Sequence, residues 1–232
     1  MKRLTDYTNA RVSLGLAGHS LPTEPLLDFR LAHARARDAV QFPLDTRSLL
    51  QEVNAIVVHS AAKDRNEYLR RPDKGRRLNE ASAQVVAAHK APGVVAIIIA
   101  DGLSALAIHR HAIPLLAQIE THFENPSLWL VEQGRLAIGD HIGELLEADL
   151  SIVLIGERPG LSSPDSLGIY LTWQPRTGRT DAERNCISNI HAQGLRYELA
   201  AHKLLFLVNE SRRRRLSGVA LKEDAAELKL VP

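Results

Sequence analysis

At 232 residues the chain has room for one large domain or a domain with a smaller attachment. Hydrophobic residues make up 45% and charged residues 24%, and no apolar run reaches the roughly 18 residues that a membrane span needs. A formal net charge of +2 selects no polyionic partner, and the single cysteine, Cys186, allows no internal disulfide.

The start, "MKRLTDYTNARVSLG", has basic residues but no apolar stretch before a small-residue cleavage site, so it reads as a chain kept inside the cell. Residues 23–40 follow as a helix: Thr23 can cap it, Pro25 fits its first turn, and Leu27, Leu31 and Ala34 recur at helical spacing. Ile56 to Val58 reads as a short strand and Pro72 to Gly75 as a turn. Residues 1–75 are expected to form a small helical N-terminal part.

From residue 76 onward, apolar runs at 94–100 ("VVAIIIA"), 128–131 ("LWLV"), 152–155 ("IVLI") and 169–173 ("IYLTW") alternate with helical patterns. The helices fall at about 76–90, 104–123 and 138–148. Two more are expected after the last run, around "TDAERNCISNIHAQG" and "YELAAHKLLFLVNESRRRRL". Apolar runs separated by helices predict an α/β fold over 76–232, with a Rossmann-like, mostly parallel sheet flanked by helices. In such sheets ligands bind beyond the carboxyl ends of the strands. The segments there are "DGLS" (101–104), "EQGR" (132–135) and "GERPG" (156–160).

Common catalytic signatures are missing. The sequence has no Walker loop, no three-glycine dinucleotide fingerprint and no Gly-x-Ser-x-Gly elbow, so Ser104 is most simply a helix N-cap. In "HRH" (109–111) a spacing of two on a helix sends His109 and His111 to different faces, which does not suit a metal pair. Cys186 and His191 have the elements of a nucleophile and its base, but five residues on a helix also diverge. Arg212 to Arg215 read as the solvated end of the last helix, complementing its dipole. Aromatic residues are only 4%, leaving little base-stacking surface beside these arginines, and no nucleic-acid partner is expected.

The "GERPG" stretch is the informative one. Glu157 and Arg158 leave the strand together on a stiff turn, and adjacent side chains do not readily pair. They could instead meet neighbouring loops. A carboxylate there is an acceptor suited to a ligand rich in N–H or O–H donors. The residues alone lead to a small-molecule crevice and no further.

Several segments resemble one family: "NEYLRRPDKGRRL" (66–78), "IADGLSALAI" (99–108), "GRLAIGDHIGELLEADLSIVLIGERPGLSSPDSLGIYL" (134–171) and "ERNCISNIHAQG" (183–194). They are similar to the small subunit of ethanolamine ammonia-lyase, in order from about residue 10 to the C-terminus. "GERPGL" and "CISNIH" are the most specific of these matches.

The resemblance implies an enzyme that converts ethanolamine to acetaldehyde and ammonia by radical chemistry with adenosylcobalamin. It implies a large subunit as partner, six of each chain in the complex, and activity only in that complex. The large subunit would hold the substrate and most reacting groups, while this chain clamps the cobalamin, so no general acid or base is nominated here. Three cofactor contacts carry over by position: Leu136 of "GRLAIGD", Glu157 of "GERPG" and Cys186 of "NCISNIH". The corrin edge carries amide N–H groups that Glu157 would accept, and Leu136 and Cys186 would pack against the ring. No Asp-x-His-x-x-Gly occurs, which implies a base-on cofactor that keeps its own lower ligand.

Some relatives carry an N-terminal extension linked to packaging in a bacterial microcompartment. Here almost nothing precedes the resemblance, so the expected location is the cytoplasm, with a microcompartment left open. The competing expectation from the residues themselves is a stand-alone α/β protein that binds a small molecule or regulates, without catalytic activity.

Overall fold

The structure is a computed structural model that describes Leu4, Tyr7 and residues 11–222. Residues 223–232 and the remainder of the first ten, the outer ends of the expected parts 1–75 and 76–232, lie outside the described residues.

Six strands form one sheet in the order β1-β3-β2-β4-β5-β6. They are β1 (Ile56–His59), β2 (Val95–Ala100), β3 (Ser127–Glu132), β4 (Leu150–Gly156), β5 (Leu167–Trp173) and β6 (Arg184–Ile190). The first four are parallel, whereas β4–β5 and β5–β6 are antiparallel. The class is therefore α/β with a mixed sheet. Four of the expected strands and Ile56–His59 are present, and the last of these is an edge strand that pairs with β3.

The apolar runs exist because the central strands are covered on both faces. All six residues of β2 are buried. Ile97 and Ile99 point to one core with Leu130, Ile152 and Leu154. Ala96, Ile98 and Ala100 point to the other with Trp129, Val131 and Val153. The first core is closed by α6 (Ile113–Ile119) and α8 (Tyr197–Arg214), through Leu115, Leu116, Ile119, Leu204 and Leu207. The second is closed by α4 (Glu80–Ala88) and α7 (Ile138–Leu146), through Val86, Ile138, Ile142 and Leu146.

The predicted helix at 23–40 is α1 (Thr23–Gln41), but Thr23 is its first residue, not its cap; Pro22 stands at the cap position without a side-chain hydrogen bond. Two short helices follow, α2 (Thr46–Leu49) and α3 (Arg65–Arg70). The predicted helix at 104–123 begins as α5 (Ala105–Ala107), widens to a π segment over Ile108–Ala112 and continues as α6.

The main correction falls on "TDAERNCISNIHAQG". This segment is not a helix; after a single turn at Asp181–Glu183, it becomes β6. Its buried residues, Arg184, Ile187 and Ile190, recur every three positions for two reasons: Arg184 is buried on the opposite face, against Asp140 of α7, and a register shift between Leu167 and Ile169 inserts a bulge that returns Ile190 to the face of Ile187. Asn189, at φ 64°, takes the left-handed conformation beside that shift. Burial on both faces together with the bulge thus gives a near-helical spacing on a strand.

Candidate functional site

Three loops meet at the carboxyl ends of β2, β3 and β4. Asp101 directly follows β2, is buried, and accepts from the backbone N–H groups of Gln133 (3.1 Å) and Gly134 (2.8 Å). Arg65 of α3 pairs with it at 3.2 Å and also donates to the Gly102 carbonyl at 2.9 Å. Burial pushes the Asp101 carboxyl up to about 6, against the opposing pull of Arg65 and the backbone donors. The connections after β2 and β3 lead to helices on opposite faces of the sheet, and Asp101 bridges the gap where they part.

Tyr68 lies beneath these loops, fully buried, and its hydroxyl donates to the carbonyls of Gly102 (2.6 Å) and Gly134 (3.1 Å). The guanidinium groups of Arg65 and Arg135 lie over its ring at 4.6 and 4.3 Å. The β2 and β4 loops cross closely: Gly102, at φ +57°, would place a Cβ 2.2 Å from the Gly156 carbonyl oxygen. Only glycine fits there.

Beside this scaffold is a cleft of about 270 Å³ lined by Leu103, Leu136, Ile155, Glu157, Arg158 and Tyr170, among others. Leu136, on the turn before α7, is half-buried against the second core. Glu157 Oε2 accepts from Ser166 Oγ at 2.5 Å and from the Asn189 backbone N–H at 3.3 Å, a donor that the bulge in β6 directs toward it. Its Oε1 accepts nothing among the described residues and lies across Gly168, where a Cβ would stand only 3.0 Å away.

The loop 157–166 that carries Glu157 is tied down elsewhere. Ser104 donates to the Pro164 carbonyl at 2.8 Å, and Arg110 and His111 hold Asp165 at 2.8 and 3.2 Å. Arg158 is exposed and makes no hydrogen bond or ion pair among the described residues, so the adjacent charges do not pair.

Cys186 sits on β6, not on a helix, directly opposite Tyr170 on β5, whose side chain lines the cleft. Cross-strand partners share a face, so Cys186 projects on the side of Tyr170. It is exposed there, while α8 packs its apolar side chains on the opposite face. The thiol is raised above its ordinary value, by desolvation first and by the Glu157 carboxylate next. The Tyr170 hydroxyl is raised by burial, then by Cys186 and Glu157. Leu136 and Glu157, far apart in the chain, thus share the wall of one cleft, and Cys186 lies outside that wall as the cross-strand neighbour of Tyr170, which lines it.

Sequence reasoning passed over Tyr170, Ser166 and Gly168. The signal was present in "DSLGIYL": alternation along a strand sets Tyr170 on the face opposite Ile169 and Leu171, and the glycine leaves room for a neighbouring side chain.

The remaining candidates separate in space. Ser104 caps its helix by accepting from the Ala107 N–H at 3.3 Å. His109 Nε2 accepts from the Asp45 N–H, whereas His111 contacts Tyr197 and Asp165. His191 meets Asn189 and Ser163, not Cys186. Arg212 to Arg215 close α8, with Arg213 paired to Glu210 at 2.6 Å. No helix among the described residues is long and apolar enough to cross a membrane.

Fold and site together define an α/β protein whose sheet mouth presents an acceptor-bearing cleft next to an open strand face. Residues 1–222 match the family model for the ethanolamine ammonia-lyase light chain, and the chain belongs to that family. It is 53% identical to the ethanolamine ammonia-lyase small subunit of Pseudomonas aeruginosa over 96% of this chain and 86% of the relative. The corresponding proteins of Pseudomonas paraeruginosa and Pseudomonas putida are 53% and 52% identical, over 96% of this chain and 86% and 87% of their own lengths.

Proposed function

We propose that this chain is the small subunit of an adenosylcobalamin-dependent ethanolamine ammonia-lyase and that it grips the cofactor while a large subunit holds the substrate. The observation that carries the reading is Glu157. One carboxylate oxygen is fixed by Ser166 and Asn189, and the other has no donor among the described residues. A buried or half-buried acceptor gains most from an N–H or O–H partner, and the amide-fringed edge of a corrin supplies such donors. The residues present fit that group.

When bound, adenosylcobalamin supplies the cleavable cobalt–carbon bond on which the conversion of ethanolamine to acetaldehyde and ammonia depends. The part assigned to this chain is binding and exclusion of water. Glu157 accepts from the ring amides, and Ser166 together with the bulge at Asn189 fixes its orientation. Leu136 offers an apolar wall, while Cys186 and Tyr170 extend the contact along β5 and β6 as a neutral thiol and phenol. No side chain here is assigned as general acid or base.

The test is co-expression with a large subunit of the same family, followed by assay of acetaldehyde formation from ethanolamine with adenosylcobalamin, each chain being omitted in turn. The expected result is turnover only with both chains. Turnover by either chain alone, or none from the assembled pair, would overturn the division of labour.

A further inference from the structure

A second, larger cleft of about 650 Å³ opens on the other side of Arg135 and Leu136, which line both cavities. Its charges do not balance. The lining acids Asp73, Asp140 and Asp181 are engaged: Asp73 by Arg71 at 2.8 Å, and Asp140 and Asp181 by Arg184 at 2.6 and 3.4 Å. Arg76 and Arg77, also in the wall, make no ion pair within 4 Å among the described residues, although Arg77 lies in the field of the Asp73 carboxylate that Arg71 already holds. Arg135 makes no such ion pair either. Its guanidinium rests on the Tyr68 ring and reaches the Tyr68 carbonyl at 3.4 Å, while its buried Nε lacks any partner among the described residues.

The position of Arg135 is built into the fold. Its backbone N–H donates to the Gly75 carbonyl at 2.7 Å, and a Cβ at Gly75 would come within 2.6 Å of Arg135 Cγ. Gly75 immediately precedes Arg76 and Arg77, so this one close approach brings three guanidinium groups without a direct ion pair among the described residues into the same cleft wall. Guanidinium forks match the oxygens of a phosphate ester in geometry as well as charge.

We infer that the arginine-lined cleft is a phosphodiester site, and that it takes the phosphate of the nucleotide tail carried by the cofactor whose ring lies at the neighbouring cleft. This rests on the reading of Glu157 as a ring contact. A base-on cobalamin is neutral and amide-rich at its ring edge and anionic in its tail. The clefts differ in the same sense: the smaller carries the Glu157 acceptor with Arg158 beside it, the larger gathers Arg76 and Arg77 in one wall, and Arg135 and Leu136 stand between them.

The test uses the assembled complex and two ligands, cobalamin and cobinamide, the latter a corrin without the nucleotide phosphodiester. Arg76→Gln/Arg77→Gln alters exposed side chains and leaves Arg135 in its packed position. Equilibrium binding followed by the corrin absorbance is expected to show cobalamin weakened by about tenfold or more, the scale of losing charge-assisted bonds, and cobinamide unchanged within about twofold. Unchanged affinity for both ligands overturns the site. Equal weakening of both also overturns it, since the arginines would then hold the large subunit or the fold. A parallel Glu157→Ala complex separates the two ideas: it should weaken both ligands alike, and its failure to do so removes the ring contact whatever the arginines do.

Discussion

The loops that follow β2 and β4 each bring a carboxylate to the mouth of the sheet, and the two are used in opposite ways. Asp101 is enclosed, paired with Arg65 and saturated by two backbone N–H groups. Glu157 is half-buried at a cleft, held through one oxygen and open at the other. The sequence marks both as acids after an apolar run. What separates them is the supply of donors. A carboxylate whose donors all come from the fold holds the fold together, whereas one with an acceptor left over has something to offer a ligand.

Removing each acid is the most direct way to break that contrast. Asp101→Ala leaves Arg65 and the Gln133 and Gly134 amides without their acceptor, and unfolding by denaturant should reveal a loss of about 3–5 kcal/mol. A change below about 1 kcal/mol would mean that Asp101 is not the stitch described above.

The pH dependence sharpens the same point. Burial raises Asp101 to about 6 from an ordinary value near 3.8. The folded state therefore binds a proton more tightly than the unfolded chain between these values. The contribution is fully present below the unfolded pKa and lost as pH rises through the folded one. The stability difference between the natural chain and Asp101→Asn, measured by denaturant titration, should accordingly shrink from pH 4 to pH 7. Glu183 provides the opposite sign. Its bonds to Thr180 and Arg179 lower it to about 2, so stability supplied by this group is present above 4.5 and lost as pH falls toward 2. A Glu183→Gln chain should lose that acid-limb dependence.

The smallest effect is expected at Gly168. An added methyl group would crowd Glu157 Oε1 at 3.0 Å and Cγ at 3.3 Å, and the far end of that side chain can move aside. Gly168→Ala should therefore leave stability within about 1 kcal/mol of the natural chain while weakening cofactor binding a few-fold in the assembled complex. Loss of folding in this variant would show that the glycine serves the sheet and not the acid.

The parallel half of the sheet was legible because burial on both faces writes continuous apolar runs such as "VVAIIIA" and "SIVLIG". The antiparallel edge was not. In "RNCISNI" Arg184 is buried on one face and Ile187 on the other, and the bulge beside Asn189 returns Ile190 to the face of Ile187, so burial falls at every third residue and imitates a helix. Cys186 was therefore nominated on the wrong kind of element, although its place opposite Tyr170 sets it beside the same cleft. The second cleft was invisible for a different reason. "KGRRL" and "QGRL" are distant in the chain, and only the approach of Gly75 to Arg135 brings their arginines together.

The central claim is that Glu157 of this chain touches the cofactor, and the affinity of the assembled complex for cobalamin, with and without Glu157→Ala, tests it most directly. Assembly, followed by size-exclusion chromatography, should be unchanged, and binding should weaken by about 1–3 kcal/mol, the scale of a lost charge-assisted hydrogen bond that leaves amide donors unpaired. An assembled Glu157→Ala complex that binds cobalamin as tightly as the natural one would contradict the account.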